Sequence, residues 1–469
     1  MTVLPQQDHR LRFDQIYSLL SLHRAVLQVY TKPLFVWRKA LSHSHDARTL
    51  YDFARQSGRN IERLHKALSR EQFHFRPAVP LPYNANGKRR VVYVFPWEER
   101  IVDRLLYNQL NWRCNHLFSR NSYAYRQRGP GLDSAQRRIA QLTQQEDKLY
   151  IVKRDIRDYF PSINHTLLLQ MLERWVEPDD YLFDLLRQRI EFQIRERSET
   201  TVASAGIPFG SAIACFLANV YLTQLDRVID GINEITYVRY ADDILLASRS
   251  RSAALEASRA LDAAIGDLKL ESKPSHHLNL VFHSDPDAAF QSASHFRHLG
   301  LEFCANGHVR LSRDKARKIR NLFRFAFRKA KRRFRRCRSP QARAALAITI
   351  AREVTEDGFR PIAIINYYLK HVDDDRQLRL LDRWLAEEVL SLAYQNGHRK
   401  GNFRHLPFSE LRTMGLPSLR HRQQLLRHGH LQSSFFQLRT ERIVERERRR
   451  LPGRKAFSPN LEAAAKNSS

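Results

Sequence analysis

Apolar residues recur at helical spacing through the first stretch of the chain, in FDQIYSLLSLHRAVLQVY and again in NIERLHKALS. That spacing predicts a helical N-terminal segment over residues 1–75. The period then shortens. VPLPYNANGKRRVVYVFP holds two strand-like runs on either side of Asn84-Ala85-Asn86-Gly87, a loop of turn-forming residues, and predicts a hairpin. Helical spacing returns in WEERIVDRLLYNQLNWRCNHLF. Residues 149–156, LYIVKRDI, form a short β-rich run that ends at an aspartate, with a helix expected from Asn164. LTQLDRVIDGINEITYVRYADDILLAS passes from helix to strand, tight turn and strand. Residues 340–436 read as helical, with Gly397, Gly401 and Gly415 as breaks, and the polar SPNLEAAAKNSS at the end is expected to be disordered. No internal repeat is visible.

Charge changes this picture of an ordinary globular chain. Over 469 residues, 79 Lys and Arg stand against 49 Asp and Glu, a net charge of +30, while 43% of positions are hydrophobic. Two or three structural units with substantial cores are expected. A compact fold with so large an excess repels itself unless a polyanion shares its surface. Nucleic acid suits it best, because phosphates reward a basic groove through counterion release. An acidic membrane surface is the rival, but the basic residues recur with aromatics along the chain instead of forming one amphipathic anchor. They crowd most densely over 313–338, where Arg328, Arg332, Arg333, Arg335 and Arg336 are interleaved with Phe323, Phe325, Phe327 and Phe334. The density and the aromatics predict a helix that contacts a nucleic-acid backbone, with a solvated charged face as the alternative. Cys114, Cys215, Cys304 and Cys337 lie far apart and form no CxxC pair, which argues against structural zinc or a disulfide framework. MTVLPQQDHR lacks a signal pattern and no long apolar run follows, so a soluble, cytoplasmic protein is expected.

Two carboxylate sites stand out. Tyr240-Ala241-Asp242-Asp243 lies between β-branched and aliphatic runs, which in a hairpin places both aspartates at the turn, able to reach a cation without burying charge in the sheet. An ordinary surface turn is the alternative, since Asp favours turns for local reasons. Lys153-Arg154-Asp155-Ile156-Arg157-Asp158-Tyr159-Phe160-Pro161 puts another aspartate at a strand end, and its plain reading is the start of a helix. Two carboxylate sites at strand ends suit two-metal phosphoryl transfer, which needs anionic oxygens holding two Mg²⁺ ions roughly 3.5–4 Å apart.

Asp155 with Phe160, followed by Tyr240-Ala241-Asp242-Asp243, resembles the palm of reverse transcriptases, the YxDD polymerases. Further blocks resemble that family in order: Gly87-Lys88-Arg89-Arg90 with Glu99-Arg100, Ser122-Tyr123-Ala124-Tyr125-Arg126 with Gly129, and Gly206-Ile207-Pro208-Phe209-Gly210-Ser211. Leu270-Glu271-Ser272-Lys273-Pro274 and Phe296-Arg297-His298-Leu299-Gly300-Leu301 complete the series, over roughly residues 75–340. The resemblance implies an α+β right-hand polymerase: fingers and palm, with an antiparallel sheet plus helices, over 76–312. A basic thumb helix region over 313–345, a helical C-terminal domain over 346–457 and a disordered tail over 458–469 would follow. It also implies RNA-directed synthesis of DNA from dNTPs with two Mg²⁺ ions, or Mn²⁺ in their place. Asp155, Asp242 and Asp243 are then the catalytic carboxylates, and with the Ile156 carbonyl they ligate the metals. Lys88 and Arg90 meet the triphosphate, with a solvated hairpin tip as their alternative. Phe160 falls at the sugar gate, where a bulky ring disfavours a 2′-hydroxyl, with core packing as its alternative. Phe209 and Gly210 lie against the nucleotide, Lys273 serves as general acid toward pyrophosphate, with a plain surface-loop lysine as its alternative, and Arg126 and the thumb arginines contact nucleic acid.

One departure stands out. Most of the family carries glutamine after the proline of the Gly206–Gly210 block, where this chain has Phe209, which fills space but offers no hydrogen bond. Defence-associated enzymes of the "unknown group", diversity-generating-retroelement enzymes and group II intron or retron relatives all fit the blocks. The long helical C-terminal extension favours antiviral defence. Expected partners are an RNA template, including a dedicated non-coding RNA, the DNA product, and a second copy or an accessory protein, with no membrane. A polymerase fold kept as a non-catalytic RNA-binding scaffold is the other class of reading. Clustered carboxylates argue against it, since they would repel a ligand's phosphates.

Overall fold

The computed structural model describes residues 10–31, 44, 46–85, 88–145, 148–283, 285–355, 362–397 and 400–431. The expected tail at 458–469 and the end of the C-terminal segment, from 432, lie outside the described residues. The chain divides into two compact units, the first ending at Ser294 and the second beginning at His295.

Among the described residues the first unit opens with α1 (Phe13–Ile16), α2 (Leu19–Thr31), α3 (Leu50–Arg55) and α4 (Ser57–Ser69). Their periodic apolar residues, Leu22, Phe53, Leu64 and Leu68 among them, are buried in the main core. β1 (Val79–Ala85) and β2 (Lys88–Val94) pair antiparallel from Val79↔Val94 to Ala85↔Lys88, the hairpin that the turn residues predict. α5 (Trp97–Arg113) and α6 (Leu132–Gln145) lead to β3 (Leu149–Asp155). Then come α7 (Tyr159–Ser162), α8 (His165–Leu172), α9 (Tyr181–Ile190) and an exposed hairpin of β4 (Gln193–Glu196) and β5 (Glu199–Val202). Asn164 starts α8 by accepting a hydrogen bond from the Leu167 N–H at 3.0 Å, as an N-cap should. α10 (Ala214–Tyr221), α11 (Thr223–Asp230), β6 (Thr236–Tyr240), β7 (Asp243–Ser248), α12 (Arg251–Asp267), β8 (Leu278–Phe282) and β9 (Gln291–Ser292) complete the unit.

The central sheet has the order β6-β7-β3-β8-β9, antiparallel except for the β8–β9 pair. Strand alternation sends Tyr150, Val152, Tyr237, Ile244, Leu246 and Val281 into one core with Ala254, Ala257, Leu261 and Ile265 of α12. Burying each of the larger aliphatic side chains stabilises by about 1.5–3 kcal/mol. The alanines let α12 lie close against the strands that end at the two carboxylate sites.

In the second unit β10 (His295–His298), β11 (Leu301–Cys304) and β12 (Val309–Leu311) form an antiparallel sheet. Helices follow: α13 (Arg313–Lys329), α14 (Lys331–Arg336), α15 (Pro340–Thr355), α16 (Ile362–Leu369), α17 (Asp375–Tyr394), α18 (Phe408–Thr413) and α19 (Leu419–Arg427). The class is α+β, as expected. The basic run is two helices that break at Ala330. Its aromatics serve a different purpose from the one the sequence suggests. Ile319, Phe323 and Phe327 recur every four residues and are buried with Phe334, while Phe325 alone of the four phenylalanines is exposed, at 51%. The rings hold the helices down and the arginines take the outer face. Among the described residues no helix is long and apolar enough to cross a membrane.

Candidate active site

The register of the central sheet assembles the site. Asp155 ends β3 and is the direct cross-strand partner of Asp243, the first residue of β7. Ala241 and Asp242 form the tight turn between the paired Tyr240 and Asp243. Ala241 has φ +59°, a conformation that costs a residue with a Cβ about 1–2 kcal/mol. Two hydrogen bonds hold the turn: Arg239 Nη1 donates to the Ala241 carbonyl at 3.2 Å, and the Ile156 N–H donates to the Asp242 carbonyl at 3.4 Å. The three sequence-predicted aspartates are thus brought together at one sheet end, with Ile156 beside them.

Burial, and then the neighbouring charge of Asp155, raise the Asp242 carboxyl above its ordinary value. Lys273 is fastened to the end of β3: its N–H donates to the Asp155 carbonyl and its Nζ donates to Asp155 Oδ1, both at 2.8 Å. Lys153, two residues before Asp155 and so on the same strand face, places its Nζ 3.4 Å from Asp243 Oδ1 although it is only 7% exposed. His276 Nδ1 lies 3.9 Å from Asp155 Oδ2. Sequence reasoning missed Lys153 and His276; strand alternation was enough to find the first.

Among the described residues no three His, Cys, Asp or Glu side chains group closely enough to hold a metal ion as they stand. Two of the carboxylates instead face lysines, Asp243 at 3.4 Å from Lys153 and Asp155 at 2.8 Å from Lys273. The donor set itself fits a hard divalent cation: carboxylate oxygens, with a backbone carbonyl at Ile156, are what Mg²⁺ takes alongside retained waters. The Asp242 carboxyl, raised first by burial and then by the charge of Asp155, is one that a bound cation would favour in its ionised form. Burial also pushes the phenols of Tyr125 and Tyr107 up, the latter to about 12, so neither adds negative charge here.

Two buried arginines support the site, and nothing local in the sequence marks them as buried. Arg239, 0% exposed, bonds Asp226 through Nε at 2.6 Å and Nη2 at 2.5 Å, and reaches Asn219 at 3.1 Å and Ser122 at 2.8 Å. Burial alone would lower its pKa, but Asp226 reverses the direction and raises it. Arg154 clamps α12 to β3 through both oxygens of Asp262, at 2.7 and 2.9 Å, and through Ser258 at 2.8 Å.

Beside the carboxylates stands a wall of rings. Phe160 meets Phe209 edge-on at 5.7 Å and Tyr125 at 6.3 Å, and Arg90 lies over the Phe209 ring at 5.9 Å. Phe160 and Phe209 are only half-buried. Gly206 and Gly210 permit the approach of the chain. A Cβ on Gly206 would come within 2.8 Å of the Pro161 carbonyl oxygen, and one on Gly210 within 2.6 Å of the Tyr93 carbonyl oxygen. The Tyr93 N–H also donates to the Phe209 carbonyl at 2.8 Å, which joins the β1–β2 hairpin to the wall. The side chain of Lys88 lies outside the described residues.

Arg126 takes another place from the one expected. Its guanidinium donates to Asn115 Oδ1 at 3.0 Å and to the carbonyls of Asn115, Ser119 and Ser122 at 2.8–3.2 Å. Four of its five N–H donors are engaged there, so it clamps its own loop. In the second unit Arg328, Arg332, Arg333, Arg335 and Arg336 are exposed, and among the described residues none has a carboxylate partner.

Residues 81–303 match the reverse transcriptase (RNA-dependent DNA polymerase) family. The retron Ec73 reverse transcriptase of Escherichia coli is 28% identical over 186 residues, covering 36% of this chain and 53% of the relative. The retron Ec83 reverse transcriptase of the same organism is 25% identical over 191 residues, covering 40% and 57%. An uncharacterized 91 kDa protein in the cob intron of Schizosaccharomyces pombe is 27% identical over 173 residues, covering 37% and 21%. The chain therefore spans little more than half the length of the retron enzymes and about a fifth of the intron protein. Residues 81–303 are thus similar to the reverse transcriptase family, with the carboxylates at the strand end and turn where the family blocks fall.

Proposed function

We propose that this chain is an RNA-directed DNA polymerase that joins dNTPs on an RNA template, with Asp155, Asp242 and Asp243 as its catalytic carboxylates. The observation that carries this reading is the pairing of Asp155 with Asp243 beside the turn that holds Asp242. The three carboxylates and the Ile156 carbonyl would hold two divalent cations, Mg²⁺ or Mn²⁺, which when bound stabilise the attacking and leaving oxygens of phosphoryl transfer. The side chains around them bind and orient. Arg90 and Lys88, on the hairpin, meet the triphosphate and offset its charge. Phe160 stands under the sugar and excludes a 2′-hydroxyl, while Phe209 and Gly210 line the nucleotide's other side. Lys273, already at Asp155, is the proton donor toward the leaving pyrophosphate. Arg328, Arg332, Arg333, Arg335 and Arg336 grip the backbone of the template–product duplex.

The test is dNTP incorporation by purified protein on a primed RNA template with Mg²⁺. Asp242→Asn and Asp155→Asn should each abolish synthesis while RNA binding survives, because a metal ligand is lost and repulsion toward phosphate falls. Incorporation above a tenth of wild type in either variant refutes the assignment. We assign the polymerase to bacterial antiviral defence, acting in the cytoplasm on a dedicated non-coding RNA, on the ground of its long helical C-terminal extension. Equal plating of phage on cells expressing wild type and Asp242→Asn would overturn that role.

A further inference from the structure

A second site lies in the helices that follow the family match. α17, α18 and α19, with a 3₁₀ turn at Lys400–Arg404, line an open cleft of about 830 Å³. That is the size of a small-ligand site. Arg379 and Arg383 enter it from one face of α17, four residues apart; Lys400 comes from the 3₁₀ turn, Arg412 from α18 and Arg420 from α19. One carboxylate, Asp382, stands among these five cations, and its oxygens are already committed. Oδ2 accepts the Ser418 hydroxyl at 2.5 Å and Oδ1 accepts the Leu419 N–H at 2.6 Å, which fastens α19 to α17.

Three of the cations are balanced at the rim. Asp375 pairs with both Arg379 and Arg420, and Glu387 lies 3.1 Å from Arg383. Among the described residues Lys400 and Arg412 form no ion pair with a carboxylate, although, against the opposing effect of burial, Arg412 is close enough to Asp382 to draw its carboxyl down. Two half-buried rings complete the lining. Phe403 and Phe408 stand 6.4 Å apart, and Arg412, four residues after Phe408 on the same helix face, lies over its ring at 4.9 Å. A merely solvated basic face would be convex and would have no use for half-buried rings between its charges. Cations that converge on a concavity favour phosphate, and a flat ring under a guanidinium favours a base.

We propose that this cleft binds a free nucleoside polyphosphate, its phosphates on Lys400 and Arg412 and its base against Phe403 and Phe408. The site is separate from the residues to which the polymerase reading assigns the dNTP. It therefore makes the C-terminal helices a nucleotide-binding element, whatever the chemistry at Asp155 proves to be.

The experiment titrates full-length protein with ATP by calorimetry in EDTA, which denies the aspartate site its cations. Wild type should bind one ATP with a Kd in the micromolar range. Lys400→Ala/Arg412→Ala should weaken it more than tenfold, and Arg412→Gln alone, at an exposed position, in the same direction. Phe408→Leu should weaken ATP several-fold and leave inorganic tripolyphosphate unchanged. Failure of wild type to bind at 1 mM ATP, or an unaltered Kd in both charge variants, overturns the proposal. So does tripolyphosphate binding as tightly as ATP, which would make the cleft a plain anion trap. Tighter binding of a deoxyadenosine decamer than of ATP, abolished in the same variants, would make it a strand groove instead and equally defeat it.

Discussion

Arg239→Met is the sharpest way to ask whether the turn that carries Asp242 is held from behind. Methionine keeps much of the apolar stem and removes the guanidinium. Asp226, 1% exposed, would then stay buried without its cation. Removing one partner of a buried ion pair destabilises by about 3–5 kcal/mol. Asn219, Ser122 and the Ala241 carbonyl each lose a donor as well, at roughly 1–3 kcal/mol for any acceptor that finds no substitute. These losses overlap, so about 4 kcal/mol is expected in all. At about 2–4 °C per kcal/mol for a domain of this size class, the melting midpoint of the first unit should fall by roughly 10 °C. Calorimetry of the full chain reads it. Asp226→Asn placed on top of Arg239→Met should recover at least about 1 kcal/mol, because the orphaned charge is gone. Incorporation should also drop well below the new midpoint, since the Ala241 carbonyl has lost its tether and the strained turn relaxes. A midpoint lowered by less than about 3 °C, or strictly additive losses in the double variant, would refute the reasoning.

Gly210→Ala should lower both stability and incorporation, because its Cβ would crowd the Tyr93 carbonyl at 2.6 Å on a backbone with φ +123°; an alanine variant that melts and polymerises like wild type would show the hairpin to be free to move. Replacing Arg332, Arg333, Arg335 and Arg336 by Gln should weaken RNA–DNA duplex binding regardless of sequence and flatten its salt dependence, by nearly one logarithmic slope unit for each phosphate no longer neutralised; an unchanged slope would reduce the run to a solvated face. Phe209→Gln should change the product, since the ring that now meets Phe160 at 5.7 Å gives way to a group that can hydrogen-bond. Deep sequencing of products on a heteropolymer template checks this, with relaxed fidelity or low-complexity product expected of wild type; the same error rate and composition in both proteins would defeat it.

The carboxylate geometry was readable because it is local. A strand ending at Asp155 and a strand–turn–strand around Asp242 follow from a period of two and a tight turn, and pairing of the two strands needs only a shared sheet. Lys153 was equally within reach, as the residue two before Asp155. Arg126, Arg154 and Arg239 were not. A basic residue declares its charge in the sequence but not its acceptors. Arg154 and Arg239 find theirs far along the chain, in Asp262 for the first and in Ser122 and Asp226 for the second. Arg126 spends its donors on the carbonyls of its own loop, which no side-chain pattern announces. In a chain of this charge, an arginine used inside the protein looks like one meant for a phosphate. The phenylalanines of α13 are deceptive for a related reason. Their spacing of four is a core stripe, but the dense charge around them points to the outer face. The division at Ala330 carries no glycine or proline signal at all.

The hydrogen bond from Tyr93 to the carbonyl of Phe209 has a consequence for how such an enzyme can drift over generations. Arg90 is on the hairpin and Phe209 is on the wall, yet the strand and the glycine-flanked loop are pinned backbone to backbone and the guanidinium lies 5.9 Å from the ring centre. A change in one is therefore inherited as a displacement of the other. If Phe209 and Arg90 hold the nucleotide as proposed, preference for a base and grip on its phosphates would be a single trait under selection, and variants at position 209 that survive should carry compensating changes at 90 to 93.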